Sequence, residues 1–255
     1  MRILFVLLFV FSFQNCFAQF ISAQEAEKIH LQVDSLVKIK EYDKIIKIYE
    51  GLLTKIDIVD SGVYYEIALI YYTDNNFEKT LLNLDKSLNL AKKTEREKLL
   101  GDIHFLYART YSKQGNNKKA VTELKKSLKY NDKLLEAQAT LTYEYLRVKK
   151  YKKAIKEAEK TLELDPKEPY AYNNAGLALI KLKKYEEGKK MILTSLDLDG
   201  TNPYAYKHLA YYYIAIKDLN KACESLQKAK DLGYKEFGNE ADQNEVADLI
   251  KQYCK

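Results

Sequence analysis

Three histidines, two cysteines near the C-terminus and many carboxylates are the groups in this 255-residue chain that could do chemistry. Their spacing gives them little to work with. His30, His104 and His208 stand far apart, and no H-x-x-x-H or H-E-x-x-H pair exists to seat a metal on one helix face. No Cys–His cluster has ligand spacing, and no G-x-S-x-G, phosphate-loop or G-x-G-x-x-G run occurs. The carboxylates alternate with lysines, as in KKYKKAIKEAEK at 149–160. That pattern makes a solvated helix face laced with i,i+4 pairs, not an acid/base couple. A non-catalytic chain with no metal and no cofactor is the expectation.

Composition bounds the class of protein. Hydrophobic residues make up 47% and charged residues 31%, with 9 Gly and 3 Pro, so helix formers dominate and helix breakers are scarce. The formal charge is +6, spread over a lysine-rich surface. Lys149, Lys150, Lys152 and Lys153 cluster at an inter-helix turn, which reads as a soluble turn and not as a phosphate site. No nucleic-acid partner is expected.

The first eighteen residues differ from the rest. Arg2 precedes an apolar run from Ile3 to Phe13, too short to span a bilayer as a helix, and Cys16-Phe17-Ala18 offers small residues at a cleavage site. Residues 1–18 read as a secretory signal with Gln19 as the mature start, leaving no transmembrane segment after cleavage. An uncleaved anchor and a lipidated Cys16 are the alternatives, the latter set against the large polar Gln14 and Asn15. Export implies the periplasm first, with cell surface or medium as alternatives. The leader and the Lys-, Asn- and Tyr-rich body resemble exported proteins of Bacteroidetes-type bacteria in composition.

The remaining chain is periodic. PYAY occurs at Pro169 and again at Pro203, 34 residues later. Counting each repeat from its proline, positions 8, 20 and 27 hold small residues: Gly176, Gly188 and Ser195, then Ala210, Ala222 and Ala229. The frame runs backwards with Thr142, Ala154 and Thr161, then Ala108, Ala120 and Ser127, then Ala68, Thr80 and Ser87. Large apolar residues such as Leu124, Leu209, Tyr213 and Leu226 lie between them. Small residues let two helix axes approach closely, while large neighbours fill the flanking grooves. The apolar three- and four-residue steps predict paired helices that must stack to bury their stripes.

On these residues the chain resembles the tetratricopeptide repeat family, which has this period. The resemblance implies an all-α, right-handed superhelical solenoid of about six hairpins, at about 26–59, 61–94, 101–134, 135–168, 169–202 and 203–236. The solenoid would be one continuous domain over 19–238. The first unit is degenerate, with Val33, Ile45 and Leu52 at the small positions and Leu31, Val33, Leu36 and Val37 marking its first helix. About six extra residues after Leu90 lengthen either the facing helices or the loop. Asp74-Asn75-Asn76 predicts a turn, and Gly233 a helix C-cap. A capping helix within 239–255 follows, with Val246, Leu249, Ile250 and Tyr253 as its apolar stripe.

In this family the first helix of each unit lines an inner groove, and positions 2, 5, 6, 9, 12 and 13 meet the ligand. The resemblance therefore implies a groove of Tyr65, Tyr72, Phe105, Arg109, Tyr143, Arg147, Asn173, Asn174, Leu177, Tyr204, His208 and Tyr211. Aromatic residues, Arg and amides together suit an extended protein or peptide segment. The carboxylate clamp of some members is missing in this register. Asn174 matches its middle Asn, but Ala139, Tyr143, Tyr204 and His208 occupy the flanking places, so chaperone-type acidic tails are not expected. The reading is an envelope scaffold that holds a protein or peptide in its groove. The alternatives are a structural subunit contacting through outer faces, and a saccharide or peptidoglycan-fragment binder using groove tyrosines.

Cysteine arithmetic leaves Cys223 and Cys254 after loss of the leader, an even number in an exported chain. Antiparallel helices bring them near each other, offset by about one turn unless the loop takes it up. A disulfide is one outcome, and two half-buried thiols the other. Labelling with a thiol reagent with and without reductant decides between them; labelling of both cysteines without reductant excludes the bond.

Overall fold

The structure is a computed structural model and describes residues 23–55, 61–93, 97–234 and 245–254. The expected signal at 1–18, the mature start at Gln19 and Cys16 lie outside the described residues, as do the side chains of His30 and Leu53. Among the described residues there are thirteen α-helices and no strand. In chain order they are α1 (Ala23–Lys38), α2 (Tyr42–Lys55), α3 (Ser61–Thr73), α4 (Phe77–Lys93) and α5 (Glu97–Lys113). There follow α6 (Asn117–Tyr130), α7 (Leu135–Arg147), α8 (Tyr151–Leu164), α9 (Pro169–Lys181) and α10 (Tyr185–Leu198). The last three are α11 (Pro203–Ala215), α12 (Leu219–Asp231) and α13 (Glu245–Tyr253). No helix among the described residues is long and apolar enough to cross a membrane.

The fold is an all-α helical repeat. Contacts divide it into two compact units, one ending at Thr110 and one beginning at Tyr111, within α5. The sequence predicts a single continuous domain. A stacked hairpin touches only its neighbours, so a repeat array has no shared central core to make it one body.

The first helices of the hairpins all end by one rule. A residue with positive φ closes the first helix of each hairpin: Lys40, Asn75, Gly115, Lys149, Lys183 and Lys217, with φ from 58° to 74°. After α9, Lys184 N–H donates to Leu179 O at 2.9 Å and Lys183 N–H to Ile180 O at 2.9 Å. That is the Schellman arrangement, which satisfies carbonyls left over at the helix end. The expected Asp74–Asn76 turn has the same form, with Asn76 N–H donating to Tyr71 O at 2.8 Å. Gly233 does close α12, with φ 73° and Tyr234 N–H on Ala229 O at 3.0 Å. At the other end, Pro169 and Pro203 stand in the first turn, where a missing N–H costs nothing. The Asn202 side chain accepts from Tyr204 N–H at 3.0 Å and caps α11.

The small positions are the closest points of the structure. All of the Ala, Ser and Thr residues predicted there, from Ala68 to Ala229, are fully buried. The glycine pair shows why. A Cβ on Gly176 would stand 2.8 Å from Gly188 O and 2.6 Å from Ile192 Cγ1. A Cβ on Gly188 would stand 2.7 Å from Gly176 O and 2.8 Å from Ile180 Cγ1. The backbones of α9 and α10 are in contact, with no room for a methyl group.

Two local features differ from expectation or resolve it. Val33, Ile45 and Leu52 of the degenerate first hairpin are buried with Tyr49 against Val63, Ile67 and Ile70 of α3. Leu31 instead is 64% exposed. Two residues before Val33 is about 200° around the helix, so both cannot face the core. The insertion after Leu90 goes into helix length. Helices α4 and α5 have 17 residues each, against 13 in α7 and 14 in α8.

In the second unit the first helices α7, α9 and α11 touch one another directly, while α8, α10 and α12 make no comparable contact among themselves. The first helices therefore form the inner layer. Helix α13 packs on the last hairpin, with Val246, Leu249 and Ile250 meeting Ala210, Leu226 and Ala229. It lies within the predicted 239–255 span, of which 239–244 and 255 fall outside the described residues. Cys223 and Cys254 are bonded, with a Cα–Cα distance of 5.5 Å, so the one-turn offset is not present.

Replacing Gly188 by Ala is expected to destabilise the protein. The helix-propensity gain is about 1 kcal/mol, whereas overpacking against backbone costs about 1–3 kcal/mol. Thermal melting followed by circular dichroism should show a fall of a few degrees, at about 2–4 °C per kcal/mol; an unchanged or raised midpoint contradicts the close crossing.

Candidate partner-binding face

The face is built from the first helices, because their i, i+3 and i+4 steps place positions 2, 5, 6, 9 and 13 along one side. In the first unit, α3 and α5 bring together all four residues expected there. Arg109 lies with its guanidinium 5.0 Å from the centre of the Tyr72 ring and 5.8 Å from that of Phe105. All three are half-buried. Tyr65 is half-buried beside them, and burial pushes its hydroxyl well above the ordinary 10.0. Asp102 and Glu66 add to that rise, and Arg109 opposes it. A planar cation between aromatic faces keeps its donors in one plane while its carbon packs.

In the second unit, Arg147 lies 5.8 Å over the ring of Tyr143 on α7. The Asn117 amide, oriented to satisfy both of its groups, accepts from Arg147 Nε at 3.2 Å and donates to Gly115 O at 3.3 Å. Arg147 is thus anchored at its root to the preceding turn. One repeat on, Lys181 occupies the place of Arg147 and sits 4.2 Å over the ring of Tyr211 on α11. Burial lowers its amine from 10.5, and Glu245 pulls it back up. Leu177, also expected on the face, is half-buried on α9.

Asn173, Asn174 and His208 go elsewhere. They are buried, at 1%, 9% and 5% exposure, so they support the face from behind. His208 Nδ1 and Asn173 Oδ1 are 2.8 Å apart, joining α11 to α9. Burial holds the imidazole well below the ordinary 6.5, and the neighbouring Lys207 charge adds to that, with Lys181 contributing less. His208 also lies alongside Tyr211, ring centres 6.4 Å apart. Position 6 of a first helix points towards the preceding first helix once the two touch, which a single-repeat pattern does not reveal.

Sequence reasoning missed five members of the face. Tyr170 and Tyr204 stand at position 2 of successive repeats, 6.5 Å apart, and Tyr234 continues the row 5.2 Å from Tyr204. Lys207 stands at position 5 and Lys181 at position 13. The same positional rule that selected Tyr204 and His208 could have found Tyr170, Lys207 and Lys181. Nothing local in the sequence marks Tyr234, nor Glu245, the fifth. It begins α13 and meets Lys207 Nζ at 2.8 Å. Its other oxygen accepts from the Tyr211 hydroxyl.

Among the described residues, no group of three or more His, Cys, Asp or Glu side chains could hold a metal ion.

The family model described as tetratricopeptide repeat matches residues 101–134 and 169–202. These two segments are similar to tetratricopeptide repeats, and they coincide with two units of the 34-residue frame. Solved structures share the fold. A MamA fragment from Desulfovibrio magneticus RS-1 superposes with a TM-score of 0.58 at 22% identity, covering 68% of this chain and 94% of its own. YrrB, described as a tetratricopeptide-repeat protein with an unusual peptide-binding site, gives 0.57 at 18% identity over 80% of this chain and 97% of its own. The C-terminal part of a tetratricopeptide repeat-containing protein from Cytophaga hutchinsonii gives 0.60 at 16% identity, over 78% of this chain and 77% of its own. No curated protein matches the sequence significantly.

His208 gives the fold a pH dependence. Above 6.5 the imidazole is neutral in both folded and unfolded chains. Below 6.5 the unfolded chain takes up a proton that the folded chain refuses, so stability falls, by at most about 1.4 kcal/mol per pH unit. Glu144, raised by burial, works in the opposite sense above 4.5. Melting from pH 7.5 down to 5.5 should therefore fall more steeply for the wild type than for His208→Gln; parallel curves contradict a buried neutral imidazole.

Proposed function

We propose that this protein is a non-catalytic scaffold of the cell envelope that binds an extended protein or peptide segment along the first-helix face of its repeats. The observation that carries this reading is the recurrence of cation–aromatic pairs on that face. Arg109 with Tyr72 and Phe105, Arg147 with Tyr143, and Lys181 with Tyr211 each set a cation over a ring of the same or an adjacent first helix. Each pair offers an apolar plate and a directed charge, which together suit a backbone that presents carbonyls and side chains alternately. The peptide-binding site named for YrrB supports the same reading by likeness of fold. Export rests on the leader at 1–18, and the periplasm follows from it as the first compartment.

The aromatic row of Tyr170, Tyr204 and Tyr234 favours a second reading, a saccharide or peptidoglycan-fragment binder. Tyr170 is 39% exposed, so one ring is open to stacking.

Pull-down from envelope extracts, with the wild type and a Tyr143→Ala/Arg147→Ala variant, tests the proposal. A protein partner retained by the wild type and lost from the variant is the expected result. Retention by both transfers the contact to the outer faces, as for a structural subunit. Recovery of glycan without protein favours the second reading. Circular dichroism of the variant should match the wild type, because neither side chain is in the helix-crossing layer.

A further inference from the structure

Helix α13 has only nine residues, too few to hold helical form alone in water. It is held on the last hairpin by Val246, Leu249 and Ile250 and, at its far end, by the Cys223–Cys254 bond. Its first residue does something a cap does not need. Glu245 reaches the inner face, where Oε2 lies 2.8 Å from Lys207 Nζ and Oε1 accepts from the Tyr211 hydroxyl. Lys207 also donates to the Tyr234 hydroxyl at 2.7 Å. The Lys207 side chain is 7% exposed and that of Glu245 is 33% exposed. A buried ammonium requires a counter-charge, because an unpaired one is strongly unfavourable. The carboxylate that supplies it is the solvent-accessible partner and belongs to the least anchored helix of the unit. A site complementary to a carboxylate is therefore formed by the repeats and filled by the chain's own tail.

We propose that Lys207, Tyr211 and Tyr234 form a carboxylate-binding site on the inner face, that Glu245 occupies it as a resident ligand, and that an acidic side chain of a bound peptide competes for it. The proposal rests on the peptide-binding reading of the face. The Cys223–Cys254 bond sets the terms of the competition. While it is intact, it holds the far end of α13 on the last hairpin and so keeps Glu245 at high effective concentration beside Lys207. A dithiol that reduces it passes two electrons and two protons to the two sulfurs, giving two thiols, and becomes a disulfide itself. Helix α13 is then held by its apolar contacts and the Glu245 pairing alone, and the site opens more readily to an outside carboxylate. The site differs from the family clamp considered above, whose flanking positions here hold Ala139, Tyr143, Tyr204 and His208.

Two measurements test this on the full-length protein. The first is hydrogen exchange of the α13 amides, which needs no peptide. Protection of 245–254 should drop on addition of dithiothreitol while that of α9 and α11 stays; equal protection with and without reductant overturns the role of the disulfide. The second is fluorescence anisotropy with a labelled peptide of alternating Leu and Glu and its counterpart with Gln for Glu. Glu245→Gln should bind the Glu peptide about tenfold or more tightly than the wild type does, as expected when a tethered competitor is removed. The Gln peptide should show no such gain, and Lys207→Met in the Glu245→Gln background should abolish the preference. Equal affinities of wild type and Glu245→Gln for the Glu peptide overturn the carboxylate site, as does an equal gain for both peptides. Binding of both peptides without that difference leaves the peptide-binding reading standing, whereas binding of neither peptide to Glu245→Gln removes the carboxylate site and leaves the face to be judged by the pull-down.

Discussion

The contact between the backbones of paired helices is the constraint on which the rest depends. Where Gly176 and Gly188 meet, a Cβ on either one would come within 3 Å of the opposite carbonyl oxygen. In the other repeats, Ala, Ser or Thr fills the same places and is fully buried. Close approach at these points fixes the angle of each hairpin and leaves the large residues to interlock on either side. Apolar burial then extends from one hairpin to the next, as in the cluster of Ile180, Ile192, Ala205, Leu209 and Tyr212. A stack of this kind is stabilised by neighbour contacts and not by one central core.

The first-helix face is a by-product of that packing. In the second unit the first helices touch one another and the second helices make no comparable contact, so first-helix side chains converge. Convergence brings Lys181 over Tyr211 and His208 against Asn173, pairs that are each about one repeat apart in sequence. It also separates two kinds of residue. Arg109, Arg147 and Lys181 lie over rings and keep their charges accessible, while His208 and Asn173 are enclosed and hold adjacent helices together.

The ends of the array are where the regular pattern gives way. The first hairpin replaces small residues by Val33, Ile45 and Leu52, all buried against α3, and carries the large Tyr49 in its centre. The last hairpin is covered by α13, whose Val246 and Ile250 meet the small residues Ala210 and Ala229. Both ends solve the same problem, an apolar surface without a next repeat. Among the described residues, the C-terminal one also brings a charge, Glu245, beside Lys207 on the inner face.

The sequence by itself determined the fold class, the 34-residue frame, the buried small positions, the turns at Asn75 and Gly233, and the aromatic character of the face. Each is written in local spacing, since helix periodicity and close crossing act through residues a few positions apart and repeat every unit. Only the tertiary structure decided which face residues are enclosed and which are open, because that depends on how closely successive first helices approach. It also decided the course of the insertion after Leu90, the exposure of Leu31 and the pairing of Cys223 with Cys254. The meeting of Glu245 with Lys207, 38 residues apart, could not be read in advance. No periodicity links them, and the contact exists only because a terminal helix comes to rest on the last repeat.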